Sequence, residues 1–275
     1  MIAAELKGRV AQGDEYIAKL LAARPVDDTG LPLCDLCKNQ VLGAREFVCS
    51  ACTSRMAAEE RARDLAQCIK ARLESARSTL PDWDFADTAH PLFSSRVKHQ
   101  SLRAAAKKWA LDKGSLMLSG PAGIGKTVCS ATIARRLVRD GETAALAAGA
   151  KSTIRPHELL LRVPQFKIAS AVRWVSALDL VAARRGHPLG RGECALWDTA
   201  TKAGVLFLDE VGQEQAQAGW LLELLDARYR RCAPTVTSSG LTKAELETRY
   251  GSGAARRLVE PGGVWIDAFG GPGGG

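Results

Sequence analysis

Long apolar runs are missing from this chain. No stretch approaches the roughly 18 apolar residues of a spanning helix, which excludes a helical integral membrane protein. Residues 1–16 mix Glu, Lys, Arg and Asp and contain no apolar segment of the kind a signal peptide needs. Neither a secretory signal nor a membrane anchor is therefore expected, and the location is predicted to be cytoplasmic. Aromatic residues make up only 5% of the chain, and no basic stripe interleaved with aromatics and no lysine-rich tail is present. Contact with a nucleic acid, if made, must then rest on phosphate charge rather than on base stacking, so little sequence preference is expected. The four histidines, His90, His99, His157 and His187, have no metal-ligand spacing. No internal repeat is seen, which argues against a solenoid or propeller.

What is present is an ordinary soluble mixture. The 275 residues are 46% hydrophobic and 25% charged, with a formal net charge of +8. The length suits one nucleotide-binding domain plus a small module, and the charge favours polyanionic partners. Eight cysteines in a reducing compartment point to metal binding or packing rather than to a disulfide framework.

Cys34-x2-Cys37 and Cys49-x2-Cys52 are separated by eleven residues. Two such pairs read as four thiolates around a tetrahedral Zn²⁺. A ribbon of this size buries too little core to fold unaided, so the metal is expected to supply its folding energy. Cys68, Cys129, Cys194 and Cys232 are isolated and read as packing residues.

Apolar spacing predicts a helix over residues 1–30, so that 1–54 form an N-terminal helix plus a four-cysteine zinc-binding module. Residues 53–80 lack Gly and Pro and predict a mixed-charge helix; 55–80 are taken as a linker. From 81 to 268 strands alternate with helices, which implies a parallel sheet covered on both faces. Strands are predicted at 115–119, 172–175, 204–208 and 235–238. Helices are predicted at 101–111, 126–139 with Gly141 as cap, 177–185 and 219–230. Residues 148–170, with Pro156 and Pro164, read as a surface insertion, and 269–275 as a disordered glycine-rich tail.

Gly120-Pro-Ala-Gly-Ile-Gly-Lys-Thr127 fits the phosphate-binding pattern G-x-x-x-x-G-K-[ST] between a predicted strand and a helix. Gly120, Pro121, Ala122, Gly123, Ile124 and Gly125 would wrap backbone N–H groups around phosphates. Lys126 would reach the β and γ phosphates, Thr127 would ligate Mg²⁺, and Val128 would complete the nucleotide contacts. The strand Val205-Leu-Phe-Leu-Asp-Glu210 ends in two acids. Asp209, at the carboxyl end of a parallel strand, would hold Mg²⁺. Glu210 would orient or deprotonate the attacking water.

With these motifs placed, residues 81–268 resemble the helicase-loader ATPases of the DnaC and DnaI kind and the related IstB transposition helpers. Further stretches carrying the resemblance are Val175-Ser-Ala-Leu-Asp-Leu180, Val211-Gly212 with Glu214, Leu225-Asp-Ala-Arg-Tyr229 and Pro234-Thr-Val-Thr-Ser-Ser-Gly-Leu-Thr242. The resemblance implies an α/β AAA+ domain with a central parallel sheet, ATP and Mg²⁺ as cofactors, and ATP hydrolysis. It implies a replicative helicase and single-stranded DNA as partners, during replication initiation, and it allows self-association through the ATPase domain. A zinc module ahead of that domain resembles the loaders more than the transposition helpers. Transposition help and a non-hydrolysing, ATP-dependent adaptor are the alternatives.

The family's polar sensor falls here on Ser239 or Gly240, with a hydroxyl of Ser238 or Ser239 as its substitute. Its paired arginines match Gly251-Ser-Gly-Ala-Ala-Arg-Arg257, which puts Arg257 at the arginine that serves its own nucleotide. Arg249 or Arg256 is left as the arginine reaching a neighbour.

Overall fold

The computed structural model describes residues 33–38, 48–188, 190–215, 219–260 and 262–270. The predicted opening helix and all but the first two residues of the predicted tail lie outside the described residues. The chain divides into two compact units, 1–64 and 65–275.

In the larger unit a five-stranded, all-parallel sheet is built from β1 (Leu116–Ser119), β2 (Val172–Ser176), β3 (Val205–Val211), β4 (Thr235–Ser239) and β5 (Val264–Asp267), in the order β2-β3-β4-β1-β5. β1 and β3 are nearly continuous apolar runs because both faces of the sheet are covered, while β4 between them, Thr-Val-Thr-Ser-Ser, is buried throughout. Alternate residues feed opposite layers, as the strand repeat of two demands. Leu116 and Leu118 of β1, with Val205 and Phe207 of β3, enter one core. Met117, Leu206 and Leu208 enter the other.

The helices are α1 (Ser50–Arg77), α2 (Phe93–Arg96), α3 (Gln100–Lys108), α4 (Lys126–Gly149), α5 (Pro156–Leu160), α6 (Pro164–Ser170), α7 (Ala177–Arg185), α8 (Ala195–Lys202), α9 (Gly219–Tyr229) and α10 (Lys243–Arg257). Among the described residues none is long and apolar enough to cross a membrane. A reciprocal Thr242–Glu245 capping box opens α10, which kinks at Gly251 (φ 86°, ψ 155°).

Four expectations change. Helix α4 does not stop at Gly141 but runs on to Gly149. A Cβ at position 141 would sit 2.3 Å from the Cβ of Ala169 and 2.7 Å from the Gln165 carbonyl, so this glycine permits the close approach of α6 and ends nothing. Residues 148–170 are not a surface insertion either. Pro156 and Pro164 open α5 and α6, where a missing N–H costs nothing. Leu159, Leu160, Val163, Phe166 and Ala169 are buried in the core. Strand β5, absent from the sequence-based expectation, pairs in parallel with β1.

The fourth change concerns α1. Its residues Leu65, Ile69, Leu73 and Ala76 recur every three or four positions and are buried in the core of the larger unit. Arg77 at its end donates to Glu142 of α4 at 2.6 Å. The second half of the helix read as a linker is thus part of that core. Burying a leucine or isoleucine is worth about 1.5–3 kcal/mol, so three of them contribute several kcal/mol, a large share of a domain's net stability. A fragment of residues 65–275 is expected to unfold at a markedly higher urea concentration than one of residues 81–275. Equal midpoints would mean that α1 only lies on the surface.

Candidate functional site

The site forms where β1, β3 and β4 end. The chain leaves β1 at Ser119 and turns through Gly120–Gly125 into α4. Gly125 has φ 102°, and a Cβ there would lie 2.4 Å from the Arg96 carbonyl oxygen and 2.6 Å from the Val97 Cα. Both the conformation and the space admit only glycine. The Lys98 N–H donates to the Ile124 carbonyl at 3.0 Å, pinning the turn from beneath.

Lys126 opens α4 and its ammonium donates to the carbonyls of Gly120 (2.7 Å) and Pro121 (2.9 Å). Half-burial lowers its pKa, and the negative charges of Asp209 and Glu210 act the other way. Thr127 Oγ1 donates to Asp209 Oδ1 at 3.2 Å. Asp209 is buried, which pushes its pKa up; the hydrogen bond from Ser238 opposes this, and Glu210 adds to the rise. Pro121, Ala122 and Gly123 are exposed at the mouth, Ile124 is half-buried beside Gly125, and Val128 packs against the core.

Glu210 takes a left-handed conformation at φ 59° and leaves its side chain exposed. The pairing of β3 with β4 shifts between Leu208 and Val211, so Glu210 sits in a bulge. For a residue other than glycine such a conformation costs roughly 1–3 kcal/mol and persists only where the surroundings enforce it. Ser238 does so: its Oγ accepts from the Glu210 N–H at 3.1 Å and donates to Asp209 Oδ1.

Of the two candidate serines, only Ser238 is brought to the acid pair. Ser239 points the other way, as successive strand residues do, donating to the Val211 carbonyl and accepting from the Leu241 N–H. Its hydroxyl fastens the end of β3 and is not presented to the glycine turn. Arg257 is also not brought to the cluster. It pairs with Asp226 at 2.8 Å and Glu260 at 2.7 Å and lies over the Tyr229 ring. The Glu260 carbonyl accepts from Ser115, at the end of the sheet where β1 begins, opposite the glycine turn. Arg256 also pairs with Glu260, at 3.3 Å, and Arg249 donates to the Glu214 carbonyl.

The deeply buried Arg228, in the Arg-Tyr pair of the resemblance, holds four neutral oxygens: the carbonyls of Ala200, Ala203 and Pro234 and the Thr235 hydroxyl. Burial, with the positive charge of Arg231 adding to it, pushes its pKa down to about 9. It ties α8 and α9 to the start of β4, away from the site.

The strand order, the glycine turn after β1, and an acid on β3 meeting Thr127 across the intervening β4 decide the architecture. The five-stranded parallel sheet with its flanking helices fits an AAA+ α/β fold. No protein-family model and no curated protein matches the chain. Among solved structures this chain is similar to the crystal structure of the DnaC helicase loader, at 16% identity over 66% of this chain and 95% of that one, with a TM-score of 0.41. It is also similar to the DnaI crystal structure (16% identity, 74% and 92% covered, TM-score 0.37) and to AMPPCP-bound DnaA from Aquifex aeolicus (15%, 70% and 51%, 0.44). The chain spans about half the length of that DnaA chain.

The smaller unit gathers its own cluster. The sulfurs of Cys34, Cys37, Cys49 and Cys52 lie within 4.8 Å of one another, with Cys37 and Cys49 Sγ 3.9 Å apart. Four Zn–S bonds of about 2.3 Å in a tetrahedron set sulfurs roughly 3.8 Å apart, so the donor set fits Zn²⁺. Backbone N–H groups point at the sulfurs, Cys49 N to Cys34 Sγ and Cys52 N to Cys49 Sγ, each at 3.4 Å. Hydrogen bonds from the Cys37 and Cys49 backbone lower the Cys34 pKa to about 6, whereas burial and the neighbouring thiols raise that of Cys52 to about 12.

Proposed function

We propose that this protein binds and hydrolyses ATP and uses the cycle to load a replicative DNA helicase onto single-stranded DNA. The observation that carries the nucleotide site is the convergence of Lys126, Thr127 and Asp209 at the glycine turn, with exposed Glu210 beside them. The backbone of the glycine turn and a helix N-terminus suit the triphosphate. Thr127 and Asp209 would hold Mg²⁺, a hydroxyl and a carboxylate being the two protein donors such an ion commonly takes beside phosphate oxygens. When bound, that ion neutralises charge on the β and γ phosphates. Lys126 binds the phosphates, and Glu210 holds the attacking water and accepts its proton.

Loading is favoured over transposition help by the four-cysteine cluster ahead of the AAA+ unit, the feature that separates the two groups in the resemblance. The net charge of +8 supports contact with DNA phosphates. A second reading, an ATP-dependent adaptor that binds nucleotide without turnover, draws on one observation. Arg257 is held by Asp226 and Glu260 at the far end of the sheet from the glycine turn.

Turnover measured with and without single-stranded DNA, together with a pull-down of the cognate helicase in ATP and ADP, tests the proposal. ATP is expected to promote DNA binding, with affinity falling steeply as salt rises because phosphate contacts release counterions. Binding indifferent to both salt and nucleotide would remove DNA from the partners. Helicase capture with no turnover would favour the adaptor.

A further inference from the structure

Five residues past Asp209 lies a buried acid that the nucleotide chemistry does not use. Glu214 has a fully buried side chain. Its Oε2 accepts from the Gly212 N–H at 2.9 Å, and its Oε1 accepts from Trp220 Nε1 at 3.3 Å and from the Tyr250 hydroxyl. Arg249 supplies the opposite charge at 3.6 Å and donates to the Glu214 carbonyl. One carboxylate thus fastens three elements: the strand end two residues beyond Glu210, helix α9 through Trp220, and helix α10 through Tyr250.

A buried carboxylate is costly unless every lone pair is satisfied, and here donors from separate elements satisfy it. The place of the bonds matters. Gly212 takes φ 106°, a conformation that favours glycine, and a Cβ there would press on the Leu241 side chain at 2.7 Å. Its N–H is held by Glu214, while Ser238 holds the N–H of Glu210, so the bulge and the chain just beyond it are fixed separately. On the other side Tyr250 and Arg249 immediately precede Gly251, where α10 kinks before Arg256 and Arg257.

We infer that Glu214 is a positioning residue for ATP hydrolysis, holding the bulge that presents Glu210 and linking that bulge to the Gly251 kink of α10. This rests on the proposed ATPase activity. Glu214 touches no reacting group, and its effect runs through the Gly212 N–H to Glu210 and through Tyr250 to α10. A change at the Glu210 turn on nucleotide binding must either carry this carboxylate with it or break one of its bonds, and both disturb the kink.

The test uses the full chain and Glu214→Gln, which keeps size and one acceptor. The variant is expected to bind Mg-ATP within about twofold of wild type while kcat falls at least about tenfold with KM little changed. If Glu214 acts through Glu210, the double variant with Glu210→Gln falls no lower than Glu210→Gln alone, because residues that work as a unit are not additive. Should Glu214→Gln fail to fold, Tyr250→Phe, which deletes one donor and leaves the carboxylate, is expected to lower kcat severalfold at unchanged KM.

Hydrogen exchange across residues 248–253 gives a readout free of turnover. A non-hydrolysable ATP analogue is expected to alter exchange there in wild type but not in Glu214→Gln. Wild-type kcat in Glu214→Gln, losses that multiply in the double variant, or exchange that responds identically in both would overturn the inference. A wild-type chain that shows the exchange response but no turnover would overturn the hydrolysis reading and leave the link standing.

Discussion

Glu210→Gln is expected to bind Mg-ATP as tightly as the wild-type chain and to turn it over roughly two to four orders of magnitude more slowly, the range that a positioned general base contributes. The substitution changes little else. The side chain is exposed, so no packing is lost, and the left-handed backbone is held by Ser238 and the bulge rather than by the carboxylate. What disappears is a proton acceptor at the mouth of the site.

Lys126→Ala is the contrast. It deletes the ammonium that sits over the Gly120 and Pro121 carbonyls and is expected to abolish binding itself. Fluorescent-nucleotide titration and single-turnover hydrolysis separate the two effects. Normal turnover in Glu210→Gln would remove this residue from the role of base and leave the acid pair with a purely structural part in the bulge.

Metal removal should produce the other large effect, confined to the smaller unit. Structural Zn²⁺ in small modules binds with about 10–16 kcal/mol, and this free energy becomes folding free energy where no preformed core exists. Among the described residues, the cysteine segment buries little beyond the cysteines themselves, with only Val48 packed beside them. Chelation, or Cys34→Ser combined with Cys37→Ser, is therefore expected to unfold the cysteine module. The larger unit, with two extensive cores of its own, is expected to keep its melting transition and its ATP affinity. If the module is the helicase grip, association with the helicase is lost at the same time. Calorimetry with metal analysis and a helicase pull-down read all three. A zinc-free variant that keeps the helicase at wild-type affinity would separate the cysteine cluster from partner binding.

Much of the site was legible in sequence because its parts are contiguous. The glycine turn needs its Lys-Thr at the start of α4, and that requirement is local, carried by the backbone conformation of one short turn. The apolar run of β3 ending in two acids is equally local, and two C-x2-C pairs suggest a metal by spacing alone, with the four sulfurs found together. The alternation of strands and helices predicted a covered parallel sheet, which is found.

What sequence did not carry is every choice between equivalent neighbours. Gly141 reads as a stop unless the Cβ of Ala169 is known to lie against it. The apolar spacing of Leu65, Ile69 and Leu73 shows a buried face without naming what buries it, and so the helix passed for a linker. Residues 148–170 carry two prolines that signal either loop or helix start, and only burial of Leu160 and Phe166 separates the two.

The same limit governs the chemistry. Two adjacent serines end β4 with identical composition, and a shift of one residue in register exchanges their faces. The bulge at Glu210 turns Ser238 toward Asp209 and leaves Ser239 to Val211. Arg257 matched a motif, but acids on α9 and beyond α10 hold it at the opposite end of the sheet. Sequence determined which functional groups this protein owns, because each motif is closed by bonds within a few residues. Tertiary structure alone decided which of them meet, because Thr127 and Asp209 are 82 residues apart and only the order of the strands brings them together.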